Sequence, residues 1–114
     1  MIESPSNPDA LAVYGSLQPG GPNEHVLAPL GGRWSEGFVM GNLEEAGWGA
    51  EVGFPGIRLS SNGERVLVKI LTSDKLPNFW QKLDAFEGGE YVRKICEVKT
   101  PEGTVKAFIY TLAD

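Results

Sequence analysis

Residues 74–112 read DKLPNFWQKLDAFEGGEYVRKICEVKTPEGTVKAFIYTL, and the change of period within this stretch decides the fold class. Leu76, Phe79, Trp80, Leu83 and Phe86 recur at spacings of three and four, which predicts an amphipathic helix. Asp74 is its expected cap, Pro77 is tolerated in the first turn, and Gly88 or Gly89 ends it. The pattern then becomes that of strands. Glu90 to Thr100 and Thr104 to Leu112 are rich in β-branched and aromatic residues and flank a Pro101-Glu102-Gly103 turn.

Reading outward toward the amino terminus, Arg65 to Thr72 is a Val- and Ile-rich strand preceded by Asn62-Gly63, a strong hairpin signal. That signal predicts that Ile57 to Leu59 pairs with Arg65 to Thr72. Residues 47–59, GWGAEVGFPGIRL, read as a loop with short extended pieces. Ser35 to Ala46 reads as a strand with Phe38 and Met40 on one face and Val39 on the other, and Gly37 and Gly41 suggest a bulge or sharp bend. Asn23 to Leu30 is expected to form a short helix capped by Asn23, with Val26, Leu27 and Leu30 as its apolar stripe. Several curved strands and one packed helix indicate an α+β fold, a small mixed β-barrel of about five to six strands with one main helix outside.

The first strand runs into a loop made almost wholly of turn-formers, AVYGSLQPGGPNEHVLA at residues 12–28. Glycines there let backbone N–H groups line a concavity that can hold an anion or a developing oxyanion. Gly15 and Gly20 have the separation of a phosphate-binding loop, but Gly21 and Pro22 follow where Lys-Ser/Thr is required. Ser16 is preceded directly by Gly15 and two positions earlier by Tyr14, so it is no nucleophile elbow either. On spacing alone an ordinary strand-to-loop turn stays open.

The chain has 114 residues, enough for one domain with a real core; residues 1–9 are expected to fray and 10–114 to form that single domain. Ten Lys and Arg against fifteen Asp and Glu give a net charge of -5 with no long basic run, which disfavours nucleic acid and anionic membranes as partners. Cys96 is the only cysteine, so an intrachain disulfide and a Cys-based zinc site are both ruled out. The polar, acidic start MIESPSNPDA lacks the form of a signal peptide. A cytoplasmic location is the expectation.

Glu87 is the strongest single candidate for chemistry. It sits in the last turn of the predicted helix, where the negative end of the dipole and partial burial both disfavour the ionised form. A carboxyl lifted toward neutrality can accept a proton and return it. A solvated helix-end glutamate is the alternative. Tyr91 and Arg93, two apart on one strand, share a face and can point into a barrel mouth or simply pack over the sheet. His25, the only histidine, can be imagined as a base for Ser16, but the elbow and an orienting carboxylate are missing. Cys96 between apolar neighbours reads as a small core residue, and Trp34, Trp48 and Trp80 as packing residues.

YGSLQPGGPNEHVL at 14–27, LDAFEG at 83–88, YVR at 91–93 and a terminal strand AFIY at 107–110 together resemble the γ-glutamylcyclotransferase-like family in order and spacing over nearly the whole chain. The resemblance implies a compact barrel with helices outside and a cofactor-independent reaction in which a γ-glutamyl group cyclises to 5-oxoproline and releases an amine or amino acid. It also implies that Glu87 is the catalytic proton shuttle and that Tyr14, Gly15, Ser16 and Leu17 form the substrate-binding loop. The partner is then a small γ-glutamyl substrate. Leu43, Glu44, Glu45, Ala46 and Gly47 depart from the family's Leu-Tyr-Asp-Leu-Gly, and only Gly88-Gly89-Glu90 separates Glu87 from Tyr91. These departures leave the substrate's outer half and any covering lid open, alongside a serine-type hydrolase and a non-catalytic binding barrel as the other readings.

Overall fold

The structure, a computed structural model, describes residues 9–15, 17–46 and 55–113. Most of the segment expected to fray, Ser16 of the glycine-rich loop, and Trp48 lie outside the described residues. Among these described residues, six strands and one α-helix follow in the order β1 (Ala10–Val13), β2 (Arg33–Glu44), β3 (Gly56–Leu59), β4 (Glu64–Thr72), α1 (Trp80–Glu87), β5 (Tyr91–Thr100) and β6 (Gly103–Leu112).

Strand alternation divides the apolar residues into two cores. Ala10 and Ala12 of β1, Val39 of β2, Val66, Val68 and Ile70 of β4, Cys96 and Val98 of β5, and Ala107 and Ile109 of β6 pack together with Ile57 as the barrel interior. The opposite faces carry Leu11, Val13, Leu71, Phe108 and Tyr110, which pack against Leu17, Leu27, Leu30, Leu76, Trp80 and Leu83 from the loops and helix. A chain of this size thus buries both faces of its central strands.

The strands run β3-β2-β4-β1-β6-β5, and a further pairing of β2 with β5 at Phe38 and Lys99 closes five of them into a barrel with β3 as an extra strand. Among the described residues β1 and β6 pair in parallel, and the other pairings are antiparallel. The expected mixed barrel with one helix outside is therefore the observed one. Closure depends on Gly37, where a Cβ would stand 2.5 Å from the Lys99 carbonyl oxygen and 2.8 Å from Val98. The β2 register against β4 runs unbroken from Arg33 to Gly41, so Gly37 and Gly41 mark close approaches and not the expected bulge.

Three local expectations are corrected. Gly56–Leu59 pairs with β2, not with β4: Gly41 faces Leu59 on one side and Glu64 on the other. The Asn62-Gly63 turn therefore carries the chain across β2 instead of forming a hairpin, and it crosses where Gly63 lies against Gly41, 2.6 Å from that residue's carbonyl carbon for a Cβ placed there. The helix expected from Asp74 is divided into a 3-10 turn, Leu76–Asn78, and α1 proper. Pro77 lacks an N–H for a continuous ladder, and the Ser73 hydroxyl accepts the Lys75 N–H at 3.2 Å, the turn contact expected of a serine at that place. Residues 23–30 likewise form two 3-10 turns, Glu24–Val26 and Ala28–Leu30, with Pro29 in the second and no side-chain cap from Asn23.

Candidate active site

Glu87 occupies a core position on α1. Trp80, Leu83 and Glu87 fall at i, i+3 and i+7, one stripe of the helix, and all three are buried. Gly88, at a φ of 82°, ends the helix and donates its N–H to the Asp84 carbonyl at 3.0 Å, so the chain leaves α1 directly behind the carboxyl group. Only 8 % of Glu87 is exposed. Desolvation by this burial raises its pKa from 4.5 to about 7, the direction expected from a helix-end carboxyl turned inward.

The fold brings Tyr14 to Glu87. The Glu87 carboxylate acts electrostatically on the Tyr14 phenol, whose pKa is raised chiefly by burial. Tyr14 is held from two sides: its hydroxyl donates to the Tyr110 carbonyl at 2.7 Å and accepts the Ile57 N–H at 3.1 Å. This joins the end of β1 to β6 and β3. The Tyr110 phenol, also raised by burial, is likewise within the field of Glu87. Leu17 is buried among Leu27 and the helix residues, which anchors the loop from its far side. The Gly15 carbonyl accepts the Gln18 N–H at 3.1 Å, a tight turn at the start of the loop. Ser16 lies outside the described residues.

Tyr91 and Arg93 share the outer face of β5, under α1. Arg93 donates from Nε to Asp84 Oδ1 at 2.9 Å and from Nη2 to Oδ2 at 3.2 Å, while its guanidinium lies 4.6 Å from the centroids of both Trp80 and Phe108. This bidentate pair holds Asp84 below the usual carboxylate range. Tyr91 packs at the edge of the same cluster and interacts electrostatically with Tyr14. His25 is exposed, and Cys96 is buried inside the barrel with its thiol pushed up to about 11 by desolvation. Two surface cavities, about 560 Å³ beside Phe38 and Leu67 and about 570 Å³ beside Gly32 and Ser73, lie away from Glu87. Among the described residues no cluster of three or more His, Cys, Asp or Glu side chains suits a metal ion, and no helix is long and apolar enough to cross a membrane.

Sequence reasoning missed Tyr110, Asp84 and Ile57. Asp84 lies in the LDAFEG segment, three positions before Glu87, and Tyr110 in AFIY, yet no local pattern pairs them. Their contact arises because β6 alternation turns Tyr110 outward with Phe108, toward α1.

Fold and site together define a class: a small closed barrel with one helix outside, whose last helical residue is a buried carboxyl among phenols. The chain belongs to the family described as Gamma-glutamyl cyclotransferase, AIG2-like, which matches residues 11–114. Among solved structures it is similar to YkqA from Bacillus subtilis, with a TM-score of 0.72 and 27% identity over 91% of this chain. The chain spans 35% of the length of YkqA. An AIG2-like protein from Mus musculus has a TM-score of 0.68 and 25% identity, with 95% of this chain and 79% of that one covered. A structure described as gamma-glutamyl cyclotransferase shares the fold at a TM-score of 0.52 and 18% identity, over 92% of this chain and 66% of the other. No curated protein matches the chain.

Proposed function

We propose that this protein is a cyclotransferase that converts a γ-glutamyl amine or γ-glutamyl amino acid to 5-oxoproline and the free amine. The observation that carries the reading is Glu87, buried at the end of α1 with a pKa of about 7 and close enough to Tyr14 to interact with it. In this reaction the substrate's α-nitrogen forms a bond to its own γ-carbonyl carbon, and the bond from that carbon to the leaving nitrogen breaks. One proton must move from the first nitrogen to the second. A carboxyl poised near neutrality can take it and give it back, and no oxidant, reductant or metal is needed for the balance.

In this reading the Tyr14, Gly15, Ser16 and Leu17 backbone holds the glutamyl carboxylate or the developing oxyanion, and Tyr91 borders the substrate. Arg93, engaged by Asp84, serves the site by fixing the helix. A cytoplasmic setting belongs to this reading, consistent with a chain that has a single cysteine and so no intrachain disulfide.

The test is 5-oxoproline release from a panel of γ-glutamyl amines and dipeptides by the wild type, Glu87→Gln and Ser16→Ala. Glutamine keeps the size of glutamate but cannot shuttle a proton, so turnover should fall by roughly 10²- to 10⁴-fold. Ser16→Ala should retain much of the activity, because the loop contributes backbone donors. Loss confined to Ser16→Ala would favour a hydrolase, and a wild type inert on the whole panel would favour a binding barrel.

A further inference from the structure

Four elements and the glycine-rich loop meet near Glu87, and one continuous set of hydrogen bonds joins them. Arg93 of β5 grips Asp84 of α1 through two bonds. Tyr110 of β6 donates its hydroxyl to Asp84 Oδ1 at 2.6 Å. The carbonyl of the same Tyr110 accepts the Tyr14 hydroxyl at 2.7 Å, and Tyr14 in turn accepts the Ile57 N–H of β3 at 3.1 Å. Asp84 stands one helical turn before Glu87, and Tyr14 opens the glycine-rich loop. Tyr110 is thus the pivot between the helix that carries the carboxyl and the loop that faces it.

The geometry points to Asp84 and Tyr110 as positioning residues that set the Glu87 carboxyl against the Tyr14 loop. This inference rests on the cyclotransferase reading for its kinetic part, and its structural part stands on the contacts alone. Packing by itself does not require the arrangement. Leu83 and Trp80 already bury one face of α1, and a helix held only by apolar contacts can slide or rotate by fractions of an ångström, whereas a bidentate ion pair and a short phenol bond fix its direction. Such displacements matter, since a misplacement of about 1 Å can lower a rate by roughly 10²-fold. Among the described residues, the charged and titratable groups near Glu87 are Tyr14 just after β1, Tyr110 from β6, Tyr91 and Arg93 from β5, and Asp84 on its own helix. The Asp84 and Arg93 charges are spent on each other, so displacing the helix changes chiefly the desolvation of Glu87.

The experiment uses the intact chain and the variants Tyr110→Phe, Asp84→Ala and Asp84→Asn. Two quantities are read: kcat and KM on a γ-glutamyl compound that the wild type turns over, and the Glu87 titration followed by carbon-13 NMR of its carboxyl. Tyr110→Phe and Asp84→Ala should lower kcat by about 10- to 100-fold with KM changed by less than about 3-fold. Asp84→Asn, which keeps an acceptor for the phenol, should restore much of the loss. The Tyr110→Phe/Asp84→Ala double variant should be little worse than Asp84→Ala, because both changes break one link. The Glu87 midpoint should fall from about 7 toward the ordinary carboxylate range in Tyr110→Phe, which keeps the Asp84 and Arg93 pair; in Asp84→Ala the uncompensated Arg93 charge pulls it the same way, so that variant is judged by kcat. An unmoved kcat and an unmoved Glu87 midpoint would overturn the inference, whatever happens to thermal stability. If the wild type releases no 5-oxoproline from any compound, the cyclotransferase reading fails, yet the Glu87 midpoint still decides the positioning. Should Tyr110→Phe not fold, the contrast between Asp84→Ala and Asp84→Asn decides it instead: both leave Arg93 without its carboxylate, and equal kcat in the two would overturn the inference.

Discussion

Glu87 carries a stability consequence as well as a kinetic one. Its ordinary pKa is 4.5 and burial raises it to about 7 in the folded chain. Below the lower value both folded and unfolded chains hold the proton. Between the two values the folded chain keeps a proton that the unfolded chain has released, so stability falls as pH rises through this window. Above about pH 7 the fold must carry a buried carboxylate, a penalty on the order of 3 kcal/mol when complete. Glu87→Gln removes that slope. Urea unfolding of both proteins at pH 4 and pH 8 should show the variant gaining relative to the wild type at the higher pH, and a difference that is the same at both would mean that the carboxyl titrates as if exposed. A glutamate in the last turn of an amphipathic helix, followed by two glycines, was legible as a candidate from the sequence. Its neighbours were not, because Asp84 and Tyr110 meet only once the facing of β6 is known.

At the scale of elements, the Asn62-Gly63 turn shows what a dipeptide does and does not encode. Its Gly63 N–H bonds the Ser60 carbonyl at 3.0 Å, a local turn as expected, but the strands on either side lie against opposite edges of β2. The signal reports a reversal in the backbone; which strand pairs with which is settled by the barrel's closure and by the space at Gly41. The helix boundaries fail for a related reason. Apolar spacing marked Leu76, Trp80 and Leu83 correctly as buried, with Phe79 and Phe86 only partly so, whereas Pro77 and the Ser73 turn decided where the ladder could begin. The crossing has a sharp test. In Gly63→Ala the new Cβ would meet Gly41 backbone atoms at 2.6 Å, which cannot rotate away, so a loss of about 1–3 kcal/mol or more is expected by denaturant unfolding. Gly89→Ala meets nothing within 4 Å and should stay within about 0.5 kcal/mol of the wild type. Equal stability of the two variants would mean that the chain does not cross at Gly41.

For the whole molecule the decisive event is closure, and it depends on a single register point between β2 and β5 at Phe38 and Lys99. The strand count and the outside helix could be read from periodicity, but the closing pair could not, since nothing local distinguishes Gly37 as a contact from Gly37 as a bend. In Gly37→Ala the methyl group would stand 2.5 Å from the Lys99 carbonyl oxygen, and β5 must retreat from β2. The barrel interior then opens along the edge that shelters Cys96, which is 8 % exposed and packed with Val98. Its thiol is pushed up to about 11 by burial, so in the closed barrel it should react slowly with a thiol reagent at neutral pH. Labelling then measures the opening equilibrium. Gly37→Ala should speed it by about 10- to 100-fold, corresponding to a loss of roughly 1.4–2.8 kcal/mol in the opening that exposes the thiol. Gly63→Ala provides the comparison, since it weakens the barrel at the β2 crossing and leaves the Phe38 and Lys99 pairing untouched. With urea used to bring both variants to the same global stability, Gly37→Ala should still label faster. Equal rates at matched stability would show that Cys96 is reached only through complete unfolding, and that the β2 and β5 closure is no weaker than the rest of the barrel.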